Sequence, residues 1–70
     1  MKLKDLKNVL VSERGSIQSA IVYDCNKNVD LEVGCSLEYA TSNYGEYDII
    51  RIGSYYDVNK KQDYVVITVM

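Results

Sequence analysis

The stretch Val-Asp-Leu-Glu-Val-Gly-Cys-Ser-Leu-Glu, residues 29–38, alternates apolar and polar or small residues without interruption. Successive side chains of a β-strand point to opposite faces, so this alternation predicts a strand with one face in the core and one in water. The predicted core face comprises Val29, Leu31, Val33, Cys35 and Leu37. The pattern therefore favours a sheet that is covered on one side, with Cys35 as a small core residue.

The chain on either side of this strand also reads as β-structure. From Ser16 to Asp24 the pattern again has a period of two, and residues 25–28 (Cys-Asn-Lys-Asn) form a turn signal, which predicts a hairpin with strand 29–38. Two further strands are predicted over residues 47–56 and 64–70, joined by a polar turn at residues 57–63. Gly53 is predicted to mark a bulge in the third strand.

Two segments are predicted to lie outside the sheet. Leu3, Leu6 and Leu10 recur at helical spacing, which predicts a short N-terminal helix that ends before a break at residues 12–15. Residues 39–46 are polar, small and turn-rich, and are predicted to be the longest loop. The predicted fold is α+β: one N-terminal helix packed on a four-stranded antiparallel β-meander, a single domain over residues 1–70. No internal repeat is expected, and every connection is too short for a parallel crossover.

The last predicted strand bears on assembly. Residues 64–70 are apolar on both faces and run to the final residue, with Val65, Ile67 and Val69 opposite Tyr64 and Val66. Such a strand at the edge of a sheet favours pairing, which predicts a homo-oligomer, such as a homodimer, or a partner. The alternative is that this strand lies in the interior of the sheet.

Composition excludes several classes of protein. The chain has 70 residues with no histidine, no proline, no tryptophan and two cysteines, which excludes histidine-based catalytic dyads and a multi-bridge disulfide scaffold. We therefore expect no catalytic residue, metal or cofactor. The N-terminus has no signal-peptide pattern and no run suits a membrane helix, so we expect a cytoplasmic protein with no membrane partner. Two reduced thiols are favoured, and pairing between Cys25 and Cys35 stays open.

Nucleic-acid chemistry is the alternative that the charges leave open. Asp48, Asp57 and Asp63 lie near Arg51 and the lysines at 60 and 61, a set that would suit a module that binds or nicks DNA. Tyrosines on a sheet can also stack on bases. However, the net charge is -2 and the pI is about 4.9, so nucleic acid is possible and not favoured as a partner. A structural or stabilising subunit is a further alternative.

The number of tyrosines is the feature of the composition that indicates a function. The chain has seven tyrosines and no phenylalanine, and tyrosine is enriched in protein-binding hot spots because it combines a large contact area with a hydroxyl. Five of them surround the predicted loop and the strand after it: Tyr39, Tyr44, Tyr47, Tyr55 and Tyr56. These five are the predicted partner-binding residues.

Four segments together carry a family resemblance, namely residues 1–10, 21–24, 47–52 and 64–69. Their pattern resembles small uncharacterised helix-plus-β-meander proteins encoded by bacteriophages and other mobile elements. That group includes inhibitors of host immunity such as anti-CRISPR proteins. The resemblance therefore implies an interaction protein of the host-cell cytoplasm whose partner is a host defence nuclease, and it carries over no catalytic residue.

Overall fold

The computed structural model describes residues 1–8 and 19–70, which form an α+β fold with a four-stranded sheet. The elements are a 3₁₀ helix (Leu3–Asn8), β1 (Ser19–Asp24), β2 (Val29–Ser36), α1 (Leu37–Asn43), β3 (Ile49–Asp57) and β4 (Gln62–Val69). The predicted end of the N-terminal helix at Leu10, the break at residues 12–15 and the strand start at residues 16–18 lie outside the described residues. Leu3 and Leu6 do belong to a helix, although it is a 3₁₀ helix.

The sheet is mixed, so the prediction of an antiparallel meander is wrong. The strand order is β2-β1-β4-β3, with antiparallel pairs at both sides and a parallel pair, β1 with β4, at the centre. Each antiparallel pair is one of the predicted hairpins. The order differs from a meander because the second hairpin joins the first through β4, which pairs with β1. The chain therefore crosses from one edge of the sheet to the other between β2 and β3.

That crossing contains α1, so the prediction of a loop at residues 39–46 is wrong for residues 39–43, and residues 37 and 38 belong to the helix rather than to the predicted strand. The hydroxyl of Ser36 caps the helix by accepting a hydrogen bond of 3.0 Å from the backbone N–H of Tyr39. Leu37, Ala40 and Thr41 recur at helical spacing, and Ala40 and Thr41 are buried. The sequence pattern does not indicate this helix, because it has only seven residues and its apolar face consists of one leucine, one alanine and a threonine methyl.

β2 does not keep the alternation of its sequence, since two residues of the strand are left without partners. Ala20 pairs with Cys35 and Ile21 pairs with Val33, so Gly34 is the extra residue, and its φ of 81° lies in the region that glycine adopts without strain. As a result Val33, which the alternation places in the core, is 53% exposed on the opposite face. Gly53 in β3 pairs regularly with Val66, so the predicted bulge there is wrong, and the irregularity of β3 lies at Ile50.

The core lies between the helices and one face of the sheet. Its buried cluster comprises Leu3, Leu6, Val22, Ala40, Ile67 and Val69. Burial of each of the larger side chains contributes about 1.5–3 kcal/mol relative to exposure, which makes the central strands β1 and β4 the main source of stability. β4 is therefore an interior strand, the alternative reading of residues 64–70, and the edges of the sheet are β2 and β3.

The first residues of the chain are fastened to the start of β3. The backbone N–H of Ile49 donates to the carbonyl of Met1 at 2.9 Å, and the N–H of Leu3 donates to the carbonyl of Tyr47 at 2.9 Å. Lys4 and Glu46 add an ion pair of 3.0 Å that is exposed and therefore stabilises little. Residues 1–3 thus cover the outer edge of the sheet only at the beginning of β3.

The two hairpins turn on the same sequence, Tyr-Asp-x-Asn-Lys-x-x-Asp, at residues 23–30 and 56–63. In each, the aspartate accepts hydrogen bonds from the backbone N–H groups two and three residues later, and the residue after those, Asn28 or Lys61, has a positive φ. The expectation that the chain has no repeat missed this motif. Its recurrence explains why two hairpins of equal turn geometry form the sheet.

We predict that Gly45→Ala lowers the free energy of unfolding by about 1–3 kcal/mol, because a methyl group there has no room. A Cβ at Gly45 would lie 2.5 Å from the carbonyl oxygen of Thr41 and 2.9 Å from the Cβ of Lys4. Urea denaturation followed by circular dichroism measures the effect. Gly53→Ala is the matched control, since nothing lies within 4 Å of its Cβ position, and this variant should be neutral or slightly stabilising. Equal losses in the two variants would contradict the packing of the 3₁₀ helix on α1.

Candidate protein-interaction surface

One face of the sheet carries its apolar side chains away from the core. Both described helices contribute their buried side chains to the face of Val22 and Ile67, and the pairing places the next residues along, Ile21 and Val66, on the other face. We call this second face the open face. It consists of three cross-strand rows in the order β2-β1-β4-β3: Ser36-Ser19-Tyr64-Tyr55, Val33-Ile21-Val66-Gly53 and Asp30-Tyr23-Thr68-Arg51.

The rows differ in chemistry. The middle row is apolar from one edge of the sheet to the other, and the outer row that ends in Asp30 and Arg51 carries one charge of each sign. The remaining row has serines on β1 and β2 and tyrosines on β3 and β4. An apolar centre with polar and charged residues around it is the anatomy of a protein-binding patch.

A tyrosine pair forms the part of the open face next to β3. The rings of Tyr55 and Tyr64 stack with centroids 6.1 Å apart and planes inclined by 26°. Tyr64 is 5% exposed, whereas Tyr55 is 51% exposed. Tyr64 thus acts as a buried support, and Tyr55 presents its ring to solvent in a fixed position.

The predicted tyrosine set does not form one surface. Tyr39 lies on α1, where its hydroxyl is 3.4 Å from a carboxylate oxygen of Glu32 in β2, and Tyr55 lies on β3. These strands are at opposite edges of the sheet, about 14 Å apart at ordinary strand spacing. Tyr56 is exposed like Tyr55 and follows it in the strand, so it points to the helix side of the sheet.

The side chains of Tyr44 and Tyr47 pack against the core. Their rings lie 6.2 Å apart and pack against the core cluster, and the single proton of the Tyr44 hydroxyl has two acceptors within reach, the carbonyl of Leu31 at 3.4 Å and a carboxylate oxygen of Glu32 at 3.2 Å. Burial raises the pKa of the Tyr44 phenol, and the negative charge of Glu32 raises it further. Tyr44 therefore connects the end of α1 to β2 at the place where that strand is irregular, and its role as a partner-binding residue stays a prediction.

The two cysteines are too far apart to form a bridge within the chain. Cys35 pairs with Ala20 near one end of β1, and Cys25 follows the other end, so about 16 Å of strand separates them. A disulfide needs Cα atoms within about 7 Å. Cys35 is partly buried, which together with Glu32 raises the pKa of its thiol, and Cys25 is exposed. Both thiols are free.

The carboxylates that suggested DNA nicking are not brought together. Asp57 and Asp63 flank the turn at one end of β3, while Asp48 precedes its other end, about 30 Å away for an extended strand. Asp57 also uses one oxygen to hold that turn. Across residues 1–8 and 19–70, no group of three potential metal ligands is found.

Comparisons with known protein families, with curated proteins and with solved structures found no match for this chain. Within the described ranges, no helix is long and apolar enough to cross a membrane. The resemblance to phage and mobile-element proteins, the cytoplasmic location and the absence of a cofactor stay predictions.

The sequence interpretation missed the apolar row of the open face. The alternation predicts strands that contain Ile21 and Val66 but indicates no role for either residue, and it predicts Val33 in the core. The available signal was Gly34, because a glycine inside an otherwise regular strand often marks an extra residue that reverses the facing of its neighbours.

We predict that the folded chain loses stability through Tyr44 as the pH rises above 10.0, the ordinary pKa of the phenol. Because the pKa is higher in the folded state, the unfolded state loses its proton first, so the free energy of unfolding falls between pH 10 and the folded pKa. Urea denaturation at several pH values should show a shallower fall for Tyr44→Phe than for the wild type. Tyr39→Phe keeps Tyr44 and should retain the steep fall. A Tyr44→Phe profile parallel to the wild type would refute the assignment.

Proposed function

We propose that this chain is a non-enzymatic interaction protein that binds another protein through the open face. In line with its resemblance to phage and mobile-element proteins, we propose an inhibitor of a host defence nuclease as its specific role. The observation that carries the proposal is the apolar row Val33-Ile21-Val66-Gly53, which crosses the whole sheet on the face opposite the described helices.

The exposure of Val33 supports this reading. The bulge places Val33 in water, so the core lacks the apolar burial that this side chain would contribute. A β-branched side chain such as valine also loses little conformational entropy when a partner covers it. Val33 is adjacent to Ile21, which is half-buried, so a partner that covers Val33 would also remove the rest of the row from water. Burial of apolar area at about 25 cal/mol per Å² is the main driving force that such a surface offers.

The charges on the open face favour a protein over a nucleic acid. Among the twelve positions of the three rows, Asp30 is acidic and Arg51 is basic, and Asp57 adds a further acid on this side of β3, so these positions form no basic stripe along which a phosphate backbone would bind. Tyr55 and Tyr23 would allow base stacking, but without phosphate contacts such binding is weak.

Inhibition is tested with purified CRISPR effector nucleases of several types, each loaded with guide RNA and assayed for cleavage of a matching DNA. We expect one type to be inhibited by the wild-type chain, and we expect Val33→Lys to weaken that inhibition at least tenfold, about 1.4 kcal/mol of binding free energy. A lysine at this position would place a charge in the apolar row.

Val29→Lys is the matched control, because Val29 lies on the same strand and is 46% exposed but pairs with Asp24 on the helix side. It should inhibit like the wild type. Equal loss in both variants would argue against the open face, and no inhibition of any effector would reject the specific role. Binding of labelled single- or double-stranded DNA at physiological salt by the wild type would instead favour the nucleic-acid alternative.

A further inference from the structure

Among the residues that the structure describes, the outer edge of β3 has no partner beyond its first residue. Met1 pairs with the N–H of Ile49, and among residues 1–8 and 19–70 no strand lies beside β3 on the side away from β4 after that point. From Arg51 to Asp57 the pairing of β3 with β4 is regular, so this edge is straight enough to accept another strand. It also exposes large apolar side chains, including Ile52 and Tyr56.

The sequence of this edge is complementary to itself. When two copies of residues 51–57 are placed antiparallel and centred on Ser54, every opposing pair is compatible in charge or size. The opposing pairs are Arg51 with Asp57, Ile52 with Tyr56, and Gly53 with Tyr55. Because the arrangement has two-fold symmetry, each of these pairs occurs twice, and such cross-strand pairs are the units that stabilise a sheet.

In the opposing pair of Arg51 and Asp57, one carboxylate oxygen of Asp57 can accept a hydrogen bond from Arg51 of the second copy. Asp57 holds its turn through Oδ1, which accepts the N–H groups of Asn59 and Lys60 at 2.9 and 3.1 Å. Its Oδ2 has no hydrogen-bond partner among the described residues, and Arg51 is exposed on the same face of the sheet. The Arg51 guanidinium of a second copy would therefore meet a carboxylate oxygen that the fold does not use.

The surface above Gly53 has room for the Tyr55 ring of a second copy. Nothing lies within 4 Å of the Cβ position of Gly53, and the residue that would oppose it is Tyr55 of the second copy. A tyrosine ring that covers a glycine across a strand pair is a recurrent way to shield exposed backbone. The stack of Tyr55 on Tyr64 already holds the ring upright over the open face.

The other edge of the sheet does not offer the same opportunity. β2 has irregularities next to Ile21 and Tyr23 of its partner, which interrupt a straight edge, and it carries Asp30 and Glu32 close together. Pairing of two β2 edges would bring these acids near one another. Pairing of β3 with β2 would extend without limit, whereas pairing of β3 with β3 closes after two copies.

We propose that β3 pairs antiparallel with β3 of a second copy of this chain, about a two-fold axis that passes through Ser54, to give a continuous eight-stranded sheet. The axis is perpendicular to the sheet, so the open faces of both copies lie on the same side. This inference does not rest on the proposed inhibition of a nuclease. The pairing edge is therefore β3 and not residues 64–70, because β4 is an interior strand of the sheet.

Analytical ultracentrifugation over a wide concentration range tests the assembly. The wild type should sediment as a dimer at high concentration, and Arg51→Glu, which places like charges opposite each other twice, should raise the dimer dissociation constant at least about tenfold. Lys27→Glu makes a similar change of charge in the β1–β2 turn, and it should leave the dissociation constant unchanged. A wild-type chain that is monomeric at every concentration would overturn the proposal.

Cysteine cross-linking tests the register. In a Cys25→Ser background, Ser54→Cys should form a disulfide-linked dimer on mild oxidation, because the two Cβ atoms on the axis lie about 5 Å apart. Arg51→Cys is the control: the two positions would be six residues out of register, about 20 Å apart, and should cross-link slowly. Equal rates for the two variants would refute the register and with it the proposal. Circular dichroism confirms that each variant is folded.

The two proposals fail separately. Val33→Lys alters β2 at the far edge of the sheet and should leave the dimer intact while it weakens inhibition. Ser54 lies on the helix side of β3, outside the open face, and Ser54→Lys would place two like charges on the two-fold axis, so it should weaken the dimer; if this variant is monomeric yet still inhibits a nuclease, the proposed function is retained.

Discussion

The parallel pairing of β1 with β4 is the interaction on which the rest of the structure depends. It joins two hairpins that are otherwise independent, in a six-residue register that runs from Ser19 opposite Tyr64 to Asp24 opposite Val69. That register aligns Val22 with Ile67 on the helix side and Ile21 with Val66 on the other. The first pair forms the centre of the core, and the second forms the centre of the open face. A shift of one residue would exchange the two faces.

The same pairing explains the place of the helices. Since β1 and β4 occupy the centre, the chain must travel from β2 at one edge to β3 at the other, and α1 covers the core during that crossing. Leu3 and Leu6 then complete the cover, with the first residues fastened to the start of β3. Within residues 1–8 and 19–70, the two short helices cover one face of the four-stranded sheet, and no described element covers the apolar row of the other face or the edge of β3 after its first residue.

These two surfaces have different physical origins. The open face arises from a backbone feature, because Gly34 reverses the facing of Val33 in the middle of β2. The exposed edge of β3 arises from the topology, because the strand order places β3 at one edge of the sheet and residues 1–3 cover only its beginning. A protein of 70 residues has a marginal core, and association through either surface adds apolar burial that the monomer lacks.

Local pattern was sufficient for the four strands and insufficient for α1 and for the arrangement of the strands. Period-two alternation and the turn at residues 25–28 predicted the first hairpin, and the facing of Val65, Ile67 and Val69 was predicted correctly. The tyrosine set was predicted as one surface from closeness in sequence. The fold instead places Tyr44 and Tyr47 against the core and carries Tyr39 and Tyr55 to opposite edges.

The sequence by itself determined that this is an α+β protein with two hairpins, each closed by an aspartate that holds its own turn, because those features depend on residues a few positions apart. Only the tertiary structure decided that the hairpins meet through parallel strands, that β4 is interior and that Val33 faces outward. These outcomes depend on which apolar faces can be buried together across long sequence separations. Alternation within a strand cannot encode that choice, because every candidate arrangement of the same strands satisfies it equally.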